Sequence, residues 1–520
     1  MAGVQSAAAV RVAELVATLS LAADLGLGQP MAHCMRQTVL ALRVARRVGA
    51  GESELVATYY TGLLRNVYCH ADAYEQAKWF GDDIALKAYS YEEGADSVFA
   101  VLKLVGSGER GLARAGRIVS FPISGIKEIR AFLLTHSTLA SQFAGRIGLD
   151  ELACESLRTA YERWDGKGEP NRLKGDRIPL PSRLVTLTAS AEVYNRLGGA
   201  RRARELVRRQ RGRELDPALA DLFVAEADEL LDGLEEAAAW EAIIDAEPRL
   251  GRVVAGAELD EVLEAMADLV DLKSPHLAGH SRGVANLAAE AARLAGLPPD
   301  EQRLIRRAGL VHDLGRLGVS NAIWDKPGPL SASELERVRL HPYLTDRMLT
   351  RVEALACVRE VAARNHERLD GSGYPRGLAG GSLTYADRLL ATADVYHALT
   401  EWRPHRRARA TAEAGDELRS QARAGRLDGE AVNAVLRAAG HRAPARREWP
   451  AGLTAREVEV LGLLARGHSN KEIAQRLVVT PKTVSNHVEH IYGKIAVSTR
   501  AAAALFAMQH GLVGSFEAAS

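Results

Sequence analysis

Cysteine is scarce in this chain. The 520 residues hold four, Cys34, Cys69, Cys154 and Cys357, with no CxxC spacing among them. That excludes a zinc knuckle and a disulfide framework, and it fits a reducing compartment. Aromatic residues make up only 5% of the chain. With abundant alanine, this leans towards helix rather than a β-sandwich. Neither sign of charge dominates, with 67 Lys and Arg against 66 Asp and Glu. A globally basic nucleic-acid coat and a disordered acidic chain are therefore excluded. No stretch reaches the roughly 18 apolar residues needed to cross a bilayer. The opening MAGVQSAAAVRVAELV lacks a basic start followed by a long apolar run. The expected location is the cytoplasm, with no membrane partner.

What is present is enough for several cores. Apolar residues reach 47%, and the length predicts three or four domains. VANLAAEAARLAG repeats apolar residues at 284, 287, 291 and 294, a helical stripe. SASELERVRL pairs Ser331 with Glu334, a capping box. The first part of the chain reads as a worn copy of this second block. A shift of 247 residues sets His33 on His280, Gly49 on Gly296 and TGLLRN on AGLVHD. A shift of 205 sets His136 on His341 and YERWDGKGEP on HERLDGSGYP. AEVY then matches ADVY after a short insertion. Ordered matches with glycines in register imply a tandem duplication. The expected layout is a degenerate copy at 1–214, a solvated helical connector at 215–260, and the second copy at 261–438. A linker at 439–452 and a small helical domain at 453–514 follow.

The second copy concentrates imidazoles and carboxylates. His280 continues the apolar stripe and so faces inward. His312 and Asp313 are adjacent, just after the small residues Ala308 and Gly309. His341, His366 and Asp394 complete the set. One inward histidine is usually a satisfied core residue. Six such groups in one helical block are costly to bury without a counter-charge, and bound metal would supply it. An adjacent His-Asp pair suits a binuclear site. The nitrogen and oxygen donor set without thiolate fits first-row ions such as iron or manganese.

The run GLVHDLGRLGVSNAIWDKPGPLSASELERVRLHP, with NHERLDGSGYPRGL and ATADVYHALTEWRP, resembles the HD-GYP family over about 261–410. The resemblance implies an all-α, metal-dependent phosphohydrolase that takes a cyclic dinucleotide, first of all cyclic di-GMP, or another nucleotide phosphoester. It implies two divalent metal ions on His280, His312, Asp313, His341, His366 and Asp394. Asp313 and Arg316 would serve catalysis, in an in-line attack of hydroxide on a phosphodiester. The loop Gly373, Tyr374, Pro375 and Arg376 would lie beside the substrate. Arg316 stands where the family usually has lysine, and Asn365 where it usually has a histidine. The first copy lacks this chemistry. Arg65 and Asn66 replace His-Asp, Tyr161 replaces the later histidine, and Glu192 replaces the aspartate. It is expected to act as a scaffold.

The last segment divides into short helices. Ser469 with Glu472 forms a capping box. Thr480 can cap a further helix with Pro481 at its first position, and the two helices make a helix-turn-helix. Lys482, Thr483, Ser485, Asn486 and His487 lie near the start of the second helix, where polar groups reach phosphates and base edges. This stretch resembles the four-helix LuxR-type domain. The resemblance implies double-stranded DNA as a partner, phosphate contacts from Lys482 and Thr483, base reading by 485–487, and a homodimer through the final alanine-rich helix. The whole reads as an all-α transcription regulator with a metal-binding, cyclic dinucleotide-binding core. A phosphodiesterase with an accessory DNA-reading tail is the alternative.

Overall fold

The computed structural model describes residues 9–89, 104–107, 111–121, 126–237, 239–248, 251–441, 449–510 and 512. Residues 442–448 of the linker expected at 439–452, and residues 511, 513 and 514 of the last domain, lie outside the described residues. The described chain is helical throughout, with only the two-residue strands Val10–Arg11 and Val253–Val254 pairing antiparallel. It divides into two compact units, 1–441 and 442–520.

Both copies of the repeat lie in the first unit. In the second copy the helix His280–Leu294 packs on Pro299–Val311 and on Tyr385–Thr400. In the first, His33–Arg47 packs on Glu52–Leu64 and on Leu180–Gln210. The same local devices build both. Each histidine-led helix follows a left-handed residue, Ala32 or Gly279. A buried aspartate then closes its first turn. Asp24 accepts from the Cys34 amide at 3.1 Å, and Asp271 from the Ser281 amide at 2.9 Å. Where helices cross, Gly62 and Gly309 admit their neighbours closely. A Cβ on Gly62 would lie 2.4 Å from the Thr38 hydroxyl, and one on Gly309 would lie 2.6 Å from the Ala285 Cα. Glu162 accepts from the Asn171 and Leu173 amides, and Glu367 from those of Arg376 and Leu378. Each pair lies at one of the two sequence shifts.

The copies share a single apolar core. Helix Val12–Gly26 is buried almost all round and touches both copies. On one side it meets His33–Arg47 and Glu52–Leu64; on the other it meets Leu314–Gly318 and His341–Leu349. The segment 215–260 does not run through solvent as expected. Helix Pro217–Leu231 buries Leu219, Phe223, Ala227 and Leu230 against the first copy. Those positions recur every three or four residues, so they form one apolar stripe.

One buried charge ties the copies together. Asp83 of the first copy accepts from the Ser320 hydroxyl at 2.7 Å and the Asn321 amide at 2.9 Å. This holds the start of helix Asn321–Trp324 in the second copy. Its other oxygen faces Lys87 at 3.5 Å and Lys273 at 3.7 Å. Burial pushes Lys273 down to about 8, while Asp83 pulls it back up.

In the second unit, helices Ala455–Ala465, Asn470–Leu477, Pro481–Ile495 and Arg500–Gln509 surround a core of Val458, Leu461, Ile473, Val484 and Ile491. The expected caps form: Ser469 with Glu472, and Thr480 on the Thr483 amide. The turn between the two reading helices passes through Val478, which is left-handed and 90% exposed.

Replacing Asp83 with alanine would leave Lys273 buried beside unpaired donors. The first unit should lose about 3–5 kcal/mol of stability, the cost of breaking a buried ion pair from one side. Chemical denaturation of the full chain would measure this, and an unchanged midpoint would refute the anchoring role.

Candidate functional site

Four elements of the second copy converge on one buried point. His280 begins its helix, and His312 closes Pro299–Val311. His341 begins a short helix, and Asp394 sits within Tyr385–Thr400. His280, His312, Asp313, His341 and Asp394 are all buried. His366, in the turn after helix Ala356–Ala362, is nearly so.

Each of three imidazoles is oriented from behind. The Nδ1 of His312 lies 2.7 Å from the Gly309 carbonyl oxygen, and that of His341 lies 2.6 Å from the Val338 carbonyl oxygen. The Nδ1 of His280 lies 3.0 Å from Glu401 Oε2. A ring that donates from Nδ1 turns its Nε2 lone pair into the site. The Nε2 atoms of His280, His312, His341 and His366 are all buried without a hydrogen-bond partner.

The donors form two groups. His280, His312 and Asp394 bring ligand atoms together in one, and Asp313, His341 and His366 in the other. Asp313 spans both, with Oδ2 3.3 Å from His312 Nε2 and Oδ1 3.5 Å from His341 Nε2. Asp394 does the same, with Oδ1 3.4 Å from His280 Nε2 and Oδ2 3.7 Å from His366 Nδ1. Neither oxygen of Asp313 has a hydrogen bond. The site thus holds opposed donors with no bond between them, and divalent cations fit that arrangement.

The charges are strongly coupled. Burial lowers His280, yet Asp394, Glu401 and Asp313 outweigh it and raise the ring to about 9. Burial wins at His341, which falls to about 4, and at His366, which falls well below its ordinary value. Burial would raise Asp313, but the Arg316 charge and the rings of His312 and His341 hold it well below the usual carboxylate range. Arg316 Nε lies 2.7 Å from Asp313 Oδ2, and its guanidinium lies 4.5 Å from the Trp324 ring centre.

The loop residues take their places as follows. Tyr374 stacks on His366 with ring centres 4.8 Å apart. Gly373 approaches the backbone so closely that a Cβ would lie 2.5 Å from the Arg368 nitrogen. Pro375 continues the turn, and the Arg376 amide donates to Glu367. The Arg376 guanidinium turns to Asp346 at 2.8 Å on the surface. Asn365 is buried with neither side-chain amide atom bonded, so its carbonyl oxygen is a neutral donor in reserve.

Sequence reading missed Glu401, Arg403 and Trp324. Arg403 lies 2.5 Å from Glu401 and 3.4 Å from His280 Nδ1. The i, i+4 spacing of His397 and Glu401, which meet at 3.0 Å, was the available signal. In the first copy the corresponding space is closed. Glu192 binds His33 at 2.5 Å and Arg36 at 2.6 Å, so a guanidinium stands where the second copy offers open donors.

In the second unit, Lys482 and Asn486 are exposed on the first turns of helix Pro481–Ile495. Thr483 and His487 are half-buried beside them. The Ser485 hydroxyl accepts from Asn470 at 3.1 Å, tying the two reading helices together.

Parts of this chain match known families and proteins. The family described as HD domain matches residues 126–219 and 264–431. The family described as bacterial regulatory proteins, luxR family, matches 451–507. The chain is 30% identical over 403 residues to the 3'3'-cGAMP-specific phosphodiesterase 3 of Vibrio cholerae, covering 76% of this chain and 87% of that protein. It is 34% identical over 220 residues to a cyclic di-GMP phosphodiesterase of Pseudomonas aeruginosa, covering 41% of this chain and 51% of that one. A crystal structure of a cyclic GMP-AMP-specific phosphodiesterase of V. cholerae aligns with a TM-score of 0.56 at 25% identity, over 84% of this chain and 99% of that one.

Two variants separate ligands from their supports. His312→Ala with Asp313→Ala should strip bound metal to background by elemental analysis, and wild-type metal content would reject the site. Glu401→Gln should retain metal but weaken its affinity by about 10- to 100-fold, as loss of an orienting partner does. An unchanged titration would remove Glu401 from that role.

Proposed function

The chain belongs to the HD domain family and ends in a domain of the luxR family of bacterial regulatory proteins, and from that membership we propose that it is a DNA-binding regulator whose second copy hydrolyses a 3'3'-cyclic dinucleotide. The observation that carries this is the pair of carboxylates, Asp313 and Asp394, each presenting one oxygen to each donor group. Such a pair suits two divalent ions, iron or manganese by donor type. Ions bound there supply Lewis acidity towards a phosphodiester.

The chain's own residues do the rest. Arg316 holds Asp313 ionised, and Trp324 keeps the guanidinium in place. Glu401 retains the Nδ1 proton of His280, leaving Nε2 turned inward. Tyr374 covers His366 and narrows access for water on that side. Among substrates, 3'3'-cGAMP is favoured over cyclic di-GMP. The relative named for cGAMP aligns along most of the chain, whereas the cyclic di-GMP relative aligns over less than half.

A second reading, binding without turnover, draws on Asn365. An amide replaces a usual imidazole there, which weakens one metal position. Metal-loaded full-length protein should cleave 3'3'-cGAMP faster than cyclic di-GMP. Tight binding of either nucleotide without cleavage would establish the second reading instead, and neither binding nor cleavage would overturn both.

The DNA role has its own check. Lys482→Ala should weaken binding to many sequences and flatten the slope of log affinity against log salt by about 0.9, one phosphate contact. An unaltered slope would exclude Lys482 from the phosphates.

A further inference from the structure

An exposed tryptophan stands at the edge of the candidate centre. Helix Tyr385–Thr400, which carries Asp394, gives way to Glu401, Trp402 and Arg403. The residues on either side of Trp402 reach the centre. Glu401 Oε2 lies 3.0 Å from His280 Nδ1, and the Arg403 guanidinium lies 3.4 Å from the same atom. Trp402 itself is 52% exposed.

The ring is held in place from several sides. The amides of Arg403 and Arg406 each donate to the other's carbonyl oxygen, at 2.9 and 3.0 Å. The Arg406 guanidinium donates to the carbonyl oxygens of Ala398 and Leu399 at the end of the helix. These bonds fix the turn that follows Trp402. His276 lies against the indole with ring centres 4.5 Å apart. Tyr74, from the first copy, meets His276 edge-on with ring centres 5.6 Å apart. The His276 turn is braced in its own right. Ser274 Oγ accepts from the His276 amide at 3.3 Å and donates to Asp325 Oδ1 at 2.8 Å. Asp325 closes the short helix Asn321–Trp324, whose Trp324 ring supports the Arg316 guanidinium. The aromatic group and the charged edge of the centre therefore share one support.

We propose that Trp402, backed by His276 and Tyr74, stacks a purine base of the cyclic dinucleotide whose phosphodiester is held at the centre. This rests on the function proposed above and adds to it the residue that holds a base. A cyclic dinucleotide carries each base one ribose away from a phosphodiester. Trp402 stands one residue away from two groups that touch His280, so a ligand anchored by its phosphodiester can lay a base on the indole. An indole offers a broad π face, and a base stacked there removes apolar surface from water on both partners. Such stacking reads the π face and not the hydrogen-bonding edge, so it tolerates every base. Trp402 therefore favours a nucleotide over a plain phosphodiester and does not choose between adenine and guanine. Through Tyr74 the first copy contributes to the platform.

The test measures equilibrium binding of 3'3'-cGAMP and cyclic di-GMP to metal-loaded, full-length protein. Trp402→Ala should raise the Kd for both nucleotides by about 5- to 150-fold, the range expected for loss of one base–aromatic stack, with metal content equal to wild type. Trp402→Phe should recover most of the affinity. Hydroxyl-radical footprinting of the wild-type chain, read by peptide mass spectrometry, should show Trp402 protected by saturating 3'3'-cGAMP, and this requires no variant to fold. Equal Kd values for wild type and Trp402→Ala, or no protection of Trp402, would overturn the inference and leave the proposed function standing. Loss of metal from Trp402→Ala would make the ring a structural support and overturn the inference as well. Wild-type protein that binds neither nucleotide would overturn the proposed function, and the inference with it.

Discussion

The second copy is organised around a buried carboxylate, Asp313, that has no hydrogen-bonding partner of its own. Asp313 is buried, ionised and unbonded to any donor hydrogen except through its ion pair with Arg316. An isolated charge in such a place costs several kcal/mol. The fold tolerates it because four imidazole rings converge on the same region and three of them are held there from behind. The holding groups are two backbone carbonyls and Glu401. Everything needed to turn those nitrogens inward is therefore built before any ion arrives. That pre-organisation separates a metal centre from a cluster of satisfied core histidines.

The first copy shows what happens when the same scaffold gives up that arrangement. Asp24, Gly62 and Glu162 keep their structural duties, matching Asp271, Gly309 and Glu367. The residues that face the centre have changed as well. Arg36 closes on Glu192, so a fixed cation stands in for an exchangeable one. Packing and chemistry thus diverged independently. Backbone caps and close crossings constrain the fold wherever the chain reverses direction, while the centre answers only to its ligand.

Much of this was legible in the sequence. The stripe at 284, 287 and 291 placed His280 on an inward face, and the structure buries it. Ser331, Ser469 and Thr480 cap the helices whose first residues they precede. Periodicity and capping are local, so a sequence displays them directly. Glu401, Arg403 and Trp324 were not legible as parts of the centre. Glu401 meets His280 across 121 residues, and nothing in the intervening chain records the contact. The connector was misjudged for a related reason. Its acidic residues suggested solvent, but Leu219, Phe223 and Leu230 share one face and bury it. Net composition hid what spacing would have shown.

Asp83 explains why the degenerate copy persists beside a copy that holds all the candidate chemistry. Its carboxylate caps the short helix that carries Trp324, and Trp324 supports Arg316, which in turn pairs with Asp313. Each link is a contact between packed or buried groups, so a shift at Asp83 cannot be absorbed by solvent. Helix Val12–Gly26 adds a second tie, because it packs against both copies and lies beside the Leu314–Gly318 turn that follows Asp313. The second copy therefore does not fold around its centre alone. Part of the wall that positions Arg316 belongs to the first copy, and deleting that copy would expose the apolar face of the segment following the His-Asp pair.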